Sequence, residues 1–293
     1  MLKGIQNKNV QQIKDEVYLC HCALSGKVPA QSRLEKMNIS RLLRSSRSQG
    51  VSALCAYALS ISGASLKAGG ELSAIQRENK SIQKALLAAG RRLSQEGIWH
   101  MPLYPHIVKD LYPASLRELD GVEILIDAKY RLRALEILGE LNYLTRRYGG
   151  READEYFSDD VYSFKVYINL LTCASPGSAG DDYYSNIYQR LIKDESGWCC
   201  RLSDNDLYVY MTARHYCDYR HRRLTLSSVA DRYVYLQKMS HRLDRYYIAK
   251  QLGRLGIVKF ESAHTRLANS LFTGQPVDES GRKLLSIIAA HSK

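Results

Sequence analysis

The first third of the chain repeats apolar positions at the three- and four-residue spacing of amphipathic helices. This pattern fills nearly all of the first 96 residues, and Asn38 stands where a side chain would cap the helical pattern over residues 38 to 62. Gly69-Gly70 predicts a break, after which a last helix is predicted to end at Gly97. We therefore expect an N-terminal group of helices.

The periodicity changes in the middle of the chain. Val122 to Ile126 is a continuous apolar run around one acid, Glu123, which is typical of a buried strand. A helix is predicted from Lys129 to Leu141, and Gly149-Gly150 indicates a hairpin or loop. Strict alternation from Val161 to Leu171 predicts a second strand with one polar face.

The last third returns to helical spacing. Residues 175 to 180 are rich in Pro, Gly and Ser and predict a linker, and Ser203 is placed to cap the helix that follows. The predicted helices then span Leu207 to Cys217, Leu226 to Met239, Asp244 to Leu255 and Glu261 to Phe272.

These elements predict the α+β fold class, with a small mixed β-sheet between two helical regions. The predicted divisions are an N-terminal helical region over 1–97, an α/β core over 98–175 and a C-terminal helical region over 176–293. A chain of 293 residues is long enough for one large domain or two modest ones.

The composition is that of a globular protein, with 45% hydrophobic and 25% charged residues. No apolar run reaches the ~18 residues of a membrane span, and the N-terminus lacks the apolar core of a secretion signal. The seven cysteines have no framework spacing, so we expect reduced thiols and a cytoplasmic location without membrane association. Cys20-His21-Cys22 and Cys199-Cys200 could contribute to a metal site, but no second Cys-x-x-Cys pair completes a zinc site.

The net charge of +12 favours anionic partners such as nucleotides, nucleic acid or acidic surfaces. The densest basic group is Arg214 and His215, followed by Arg220-His221-Arg222-Arg223. We predict that this group faces a cleft and binds an anionic ligand, and a solvated helix face is the alternative.

A series of short motifs runs through the middle and the last third of the chain. They are Pro102-Leu103, Leu111-Tyr112-Pro113, Arg117, Ile124-Leu125-Ile126, Val166 to Leu171, Arg214-His215 and Asp231-Arg232-Tyr233-Val234-Tyr235-Leu236. In this series the chain resembles the uncharacterised nucleotidyltransferases of minimal polymerase-beta-like type, which are common in bacteria. The resemblance implies a Mg²⁺-dependent transfer of a nucleotidyl group from a nucleoside triphosphate to an acceptor, which could be RNA, protein or a small molecule.

The positions that carry the family's chemistry differ here. The family's Lys-Gly is replaced by Tyr104-Pro105, and its Asp-x-Asp pair by Gly121-Val122-Glu123. The carboxylate expected on the later strand falls at Tyr167, its neighbouring His at Asn169, and the first His of the helical motif at Met211.

Nucleotidyl transfer needs convergent oxygen ligands, because two Mg²⁺ ions ~4 Å apart stabilise the attacking and the leaving oxygen. Glu123 is the one acid that remains at a motif position, and it is therefore the expected catalytic residue and metal ligand. Asp120 and Asp127 are the nearest substitutes, although Asp120 belongs to the opposite pleat and Asp127 lies ~13 Å along the strand. The alternative is that Glu123 is a structural acid paired with Arg117.

Lys109 and Arg117 are the predicted phosphate contacts near this motif, with surface cations as the alternative. The backbone segment that would contact the phosphates is altered. Tyr104-Pro105 lacks the flexible glycine and one of the N–H donors that would approach a phosphate.

Two functional hypotheses follow. The first is a divergent nucleotidyltransferase whose Mg²⁺-dependent activity is weak or lost. The second is a non-catalytic module that binds a nucleotide, nucleic acid or protein through the same cleft.

Overall fold

The computed structural model describes residues 2–64, 66–170, 183–184 and 187–290. The N-terminal region is helical, as predicted, and consists of α1 (Leu2–Ser25), α2 (Gln31–Leu34), α3 (Ile39–Ser48), α4 (Ser52–Ile61) and α5 (Leu66–Gln95). Asn38 caps α3, since its side chain accepts a hydrogen bond from the backbone N–H of Arg41 at 3.0 Å. The pattern over 38 to 62 forms two helices, which meet at Gly50 with φ of +64°. The predicted break at Gly69-Gly70 is wrong, because α5 continues through both glycines.

The middle of the chain forms a five-stranded mixed sheet with the order β1-β2-β5-β4-β3. Its strands are β1 (His100–Pro102), β2 (Val122–Ile126), β3 (Leu144–Arg147), β4 (Ala153–Phe157) and β5 (Phe164–Tyr167). Within this sheet, as far as the structure describes it, β2 and β5 run parallel and the other neighbours are antiparallel. The sequence predicted a longer strand from Val161 to Leu171, but in the structure β5 has four residues. The short helices α6 (Tyr104–Val108) and α7 (Arg131–Glu140) follow β1 and β2, respectively.

Strand β2 is buried on both faces, which explains its continuous apolar sequence. Val122, Ile124 and Ile126 pack in one core cluster with side chains of α5 and α7, such as Ile82 and Ile137. Leu125, on the opposite face, belongs to a larger cluster formed with the N- and C-terminal helices. Glu123 shares the face of Leu125, so this acid points toward the helical regions.

The described part of the C-terminal region contains a two-stranded sheet that the sequence did not predict, β6 (Ile192–Lys193) and β7 (Cys200–Arg201). Five helices follow: α8 (Asp204–Arg220), α9 (Leu226–Met239), α10 (Arg245–Arg254), α11 (Val258–Thr273) and α12 (Glu279–Ala290). Ser203 caps α8 by accepting the backbone N–H of Asp206 at 3.1 Å, as predicted. The predicted linker over 175 to 180 lies outside the described residues.

The two helical regions share one core. Gln49 joins them, because its amide donates to the carbonyl of Ile288 at 3.0 Å and its side-chain oxygen accepts the N–H of Leu226 at 2.9 Å. Helix α1 also packs against α11 and α12.

Among the helices that the structure describes, none combines the length and the apolar character needed to cross a bilayer. The six cysteines within the described ranges are free thiols.

Candidate active site

A cleft of about 480 Å³ opens where the beginnings of β2 and β5 face the helices α8 and α9. In the parallel register Glu123 of β2 lies beside Lys165 of β5, and both side chains point into this cleft. The Lys and Arg residues and the carboxylates that line it are Arg117, Glu118, Asp120, Glu123, Glu152, Lys165, Arg214, Asp218 and Arg223. The structure therefore places Glu123 and Arg214 of α8 in the same cleft.

Glu123 is held by a guanidinium. Arg214 Nη1 donates to Glu123 Oε2 at 2.9 Å, and Arg214 Nη2 donates to Oε1 at 3.0 Å. The hydroxyl of Tyr167 donates to the same Oε1 at 3.3 Å. The Glu123 and Arg214 side chains are 14% and 20% exposed, respectively, so they form a largely buried, bidentate ion pair. The predicted pairing of Glu123 with Arg117 is wrong, because Arg214 takes that place.

The electrostatics of Glu123 reflect this pairing. Burial alone would raise the pKa of the Glu123 carboxyl, but the Arg214 guanidinium outweighs burial and holds the pKa below its ordinary value. The Glu123 carboxylate is therefore charged at neutral pH, and its counter-charge is the guanidinium of Arg214. Tyr167, where the family resemblance predicts a carboxylate, contributes a neutral hydrogen-bond donor instead.

Gly121, where the family resemblance predicts the first motif acid, has a backbone that excludes a side chain. Its φ is +148°, and a Cβ built on it would lie 2.1 Å from the carbonyl oxygen of Ser163. This close approach comes from the sheet itself, where Val122 N–H donates to that same carbonyl at 2.9 Å. An aspartate cannot be placed at residue 121 without moving β2 or β5.

Arg117 has a structural partner instead of facing an open phosphate site. Its Nε and Nη2 each donate to the carboxylate of Asp231 at 2.8 Å, one to each oxygen. The hydroxyls of Tyr104 and Tyr112 donate to the same carboxylate at 2.9 and 2.7 Å. Burial works against the charge of Arg117, but Asp231 overcomes it and raises the pKa of the guanidinium further. The carboxylate thus receives four hydrogen bonds inside the protein.

His215 is neutral and does not add to the basic group that the sequence predicted. It is 1% exposed, and burial holds its pKa well below the ordinary histidine value. Its Nε2 lies 3.1 Å from the hydroxyl of Tyr104, which itself donates to Asp231. Nε2 therefore carries the hydrogen, because the tyrosine oxygen is left to accept.

Glu118 connects the motif to the N-terminal region. Its carboxylate accepts the backbone N–H of Ala53 at 2.5 Å and the hydroxyl of Ser52 at 2.9 Å, at the first turn of α4. Burial raises the pKa of Glu118 to about 7. A carboxylate at a helix N-terminus is favourably placed, so this acid has a capping contact of its own.

The remaining candidate residues are dispersed. Asp120 lines the cleft but is exposed. Asp127 lines a different cavity of about 560 Å³ beside Trp99, where it accepts the backbone N–H of Lys129 at 3.1 Å. Lys109 is not part of the cleft lining and binds Asp110 at 2.6 Å. These three residues therefore do not converge with Glu123.

The cleft is mixed in charge, with five carboxylates against four Lys and Arg side chains. The arginine-rich segment from 220 to 223 predicted a basic surface, but only His221 and Arg223 of it line the cleft. Within the described ranges, no three His, Cys, Asp or Glu side chains are grouped so that they could hold a metal ion. The donor set therefore does not fit a two-metal centre.

The network around Asp231 and the Arg214–Glu123 pair were not predicted from the sequence. Both contain residues of the family motifs, since Leu111-Tyr112-Pro113, Arg117 and Asp231 to Leu236 all belong to the series described above. The signal that could have found the Asp231 network was an aspartate, Asp231, between apolar residues of a predicted helix, together with the motif arginine Arg117.

The comparisons with known proteins agree with the architecture. The model of the family of uncharacterised nucleotidyltransferases matches residues 35–273, which is most of the chain. Neither the curated proteins nor the solved structures contain a match. With its mixed sheet, its motif strand and a match that extends from the N-terminal helices into α11, the chain belongs to the uncharacterised nucleotidyltransferase family.

Proposed function

We propose that this protein is a catalytically inactive member of its family, which uses the cleft to bind a polar ligand without a divalent metal. The observation that carries this proposal is the pairing of both Glu123 oxygens with the Arg214 guanidinium. In this arrangement an arginine supplies the positive charge that Mg²⁺ supplies in the family's reaction.

A metal ion would have to displace Arg214 before it could reach Glu123. The displaced guanidinium would remain beside a dication in a partly desolvated site, where like charges repel strongly. Mg²⁺ also needs further hard oxygen ligands in a near-octahedral arrangement. Gly121 cannot supply one because its backbone lies against Ser163, and Tyr167 is a poor ligand while its hydroxyl is protonated.

The charges of the cleft favour a ligand with few negative groups. A nucleoside triphosphate without metal would bring several negative charges next to five carboxylates. Lys165 lies beside Glu123 and makes no direct ion pair within the described residues. Its ammonium group can therefore bind one anionic group of a ligand. The hydroxyls of Ser227 and Ser228 at the beginning of α9 also line the cleft. We therefore propose a small ligand that carries hydroxyl or amide groups and at most one or two negative charges.

The inactive state is tested by a transfer assay. Purified protein would be incubated with labelled nucleoside triphosphates, Mg²⁺ or Mn²⁺ and a cell lysate that offers protein, RNA and small-molecule acceptors. We expect no label transfer above the level of Glu123→Gln. Transfer by the wild type that disappears in Glu123→Gln would overturn the proposal in favour of a Mg²⁺-dependent nucleotidyltransferase.

Metal binding provides a second test, which needs no acceptor. Calorimetric titration with Mn²⁺ should show no binding to the wild type or to the control Arg220→Met, which alters an exposed arginine of the same helix. Tight Mn²⁺ binding to the wild type that is lost in Glu123→Gln would contradict the pairing as the reason for inactivity.

The ligand class is tested by thermal stabilisation. We expect nucleosides and singly charged polar compounds to raise the melting temperature more than ATP does, with Lys165→Met reducing the effect. A larger, Mg²⁺-dependent stabilisation by ATP would reverse the order and support retained triphosphate binding.

A further inference from the structure

A second polar cluster lies inside the C-terminal helices, beyond the cleft. It consists of His215 and Thr212 on α8, Arg232 on α9 and His264 on α11. Arg232 and His264 are both 0% exposed, and His215 is 1% exposed. A fully buried arginine is rare, and when it occurs it is normally paired with a carboxylate.

Arg232 has no such partner among the described residues. Its Nη2 donates to Thr212 Oγ1 at 2.5 Å, and its Cζ lies 4.3 Å from the ring centroid of Tyr208. The Nε and Nη1 groups make no hydrogen bond in the part of the chain that the structure describes. Most of the donors of this guanidinium therefore lack an acceptor.

The nearby carboxylates are already engaged. Asp231, the preceding residue, receives Arg117 and the hydroxyls of Tyr104 and Tyr112. Glu261 accepts the hydroxyls of Tyr208 and Thr265. Neither acid forms an ion pair with Arg232, so the positive charge of Arg232 has no direct counter-ion within the described ranges.

The histidines beside it extend this set of unsatisfied atoms. Both ring nitrogens of His264 and Nδ1 of His215 lack a hydrogen-bond partner within the described ranges. The two rings meet edge to face with centroids 5.2 Å apart. Burial lowers the pKa of each ring, and Arg232 lowers both further, so the histidines are neutral. The one N–H of His215 is on Nε2 and faces Tyr104, so its Nδ1 can only accept, whereas His264 has one N–H without an acceptor among the described residues. Five of the nine unsatisfied buried side-chain atoms in the described residues belong to this cluster.

A buried charge without a counter-ion costs several kcal/mol, and water in its place would solvate the guanidinium but would not neutralise it. We propose that Arg232 and His264 bind a small monovalent anion of halide size, held by the free guanidinium donors and the N–H of His264. Arg232, His264 and His215 are at most 1% exposed, so the ligand that we propose is a small ion. The anion would neutralise Arg232 where α8, α9 and α11 meet, next to the histidine that supports Tyr104.

Diffraction provides the direct test. Crystals of the full chain grown or soaked in sodium bromide would be measured at the bromine absorption edge. We expect an anomalous peak beside Arg232 in the wild type and none in Arg232→Met. Density for ordered water alone, with no bromide signal at Arg232 of the wild type, would overturn the proposal, and this arm does not require that the variant folds.

Thermal unfolding provides the solution test. Once the site is saturated, the melting temperature of the wild type should rise by about 2–4 °C for each tenfold increase in chloride at constant ionic strength maintained with gluconate. Arg232→Met should lose this dependence, whereas Lys238→Met, which alters an exposed cation of the same helix, should keep it. An equal chloride response in all three proteins would place the effect elsewhere and refute the site.

Discussion

Replacing Arg214 by methionine tests whether the guanidinium is an integral part of the site. The substitution keeps much of the side-chain volume but removes both hydrogen bonds to Glu123, at 2.9 and 3.0 Å. The carboxylate would then keep the hydroxyl of Tyr167 and the nearby charge of Lys165. Glu123 is only 14% exposed, so solvent could restore little of the lost interaction.

The expected loss follows from the burial of the pair. Removing one partner of a buried ion pair typically costs ~3–5 kcal/mol, because the other charge stays buried and unpaired. The remaining exposure and the two residual contacts place Arg214→Met near the lower end, about 3 kcal/mol at pH 8. The loss should become smaller at pH 5, because without Arg214 burial raises the pKa of the Glu123 carboxyl and the group can take a proton.

Urea unfolding at both pH values measures this loss, with Arg220→Met as a control expected to change stability by less than ~0.5 kcal/mol. The double variant Glu123→Gln and Arg214→Met completes a thermodynamic cycle, and its loss should be smaller than the sum of the single losses. A loss below ~1 kcal/mol for Arg214→Met at pH 8, or additive losses in the cycle, would refute a buried and mutually dependent pair.

Three further outcomes are expected. Gly121→Asp should lower the unfolding midpoint substantially, because the new Cβ would lie 2.1 Å from the carbonyl of Ser163. It should also leave Mn²⁺ binding, measured by calorimetry, unchanged, and tight metal binding by a folded variant would contradict this. Asp231→Asn should destabilise the protein by ~3–5 kcal/mol in urea unfolding, since Arg117 loses its buried counter-charge, and a variant as stable as the wild type would show that the pair is dispensable. Burial raises the pKa of Glu16 to about 7 from an ordinary value of 4.5, so its contribution to stability is complete below about pH 4.5 and is lost as the pH rises through 7. Glu16→Gln should remove on the order of 3 kcal/mol of this pH dependence between pH 4 and pH 8, and an unchanged pH profile in unfolding experiments would count against the raised pKa.

The local features of the fold could be predicted from the sequence. Strand β2 was recognisable because both of its faces are buried, and the caps at Asn38 and Ser203 because capping depends on nearby residues only. The predicted break at Gly69-Gly70 failed for a tertiary reason. A glycine inside a helix costs ~0.5–1 kcal/mol relative to alanine, and the extensive packing of α5 against α4 offsets that cost.

The site could be predicted only in part, because its interactions join distant parts of the chain. The family motif identified Glu123, but Arg214 lies 91 residues further on, and nothing near it in sequence indicates the pairing. The same holds for Arg117 and Asp231, which are 114 residues apart. The sequence shows that residue 121 is a glycine where the resemblance predicts an aspartate. The structure adds that a side chain at this position would collide with the backbone of Ser163.

The hydrogen bond from Gln49 to the carbonyl of Ile288 spans 239 residues, and it closes a core to which the first and the last helices both contribute. During synthesis at about 5–20 residues per second, α3 and α4 therefore leave the ribosome long before the helices that will cover them exist. Their apolar faces stay open for many seconds, which exposes the nascent chain to aggregation and to chaperones. Ribosome profiling of chaperone association should show occupancy that begins with the N-terminal helices and ends only after α12 emerges.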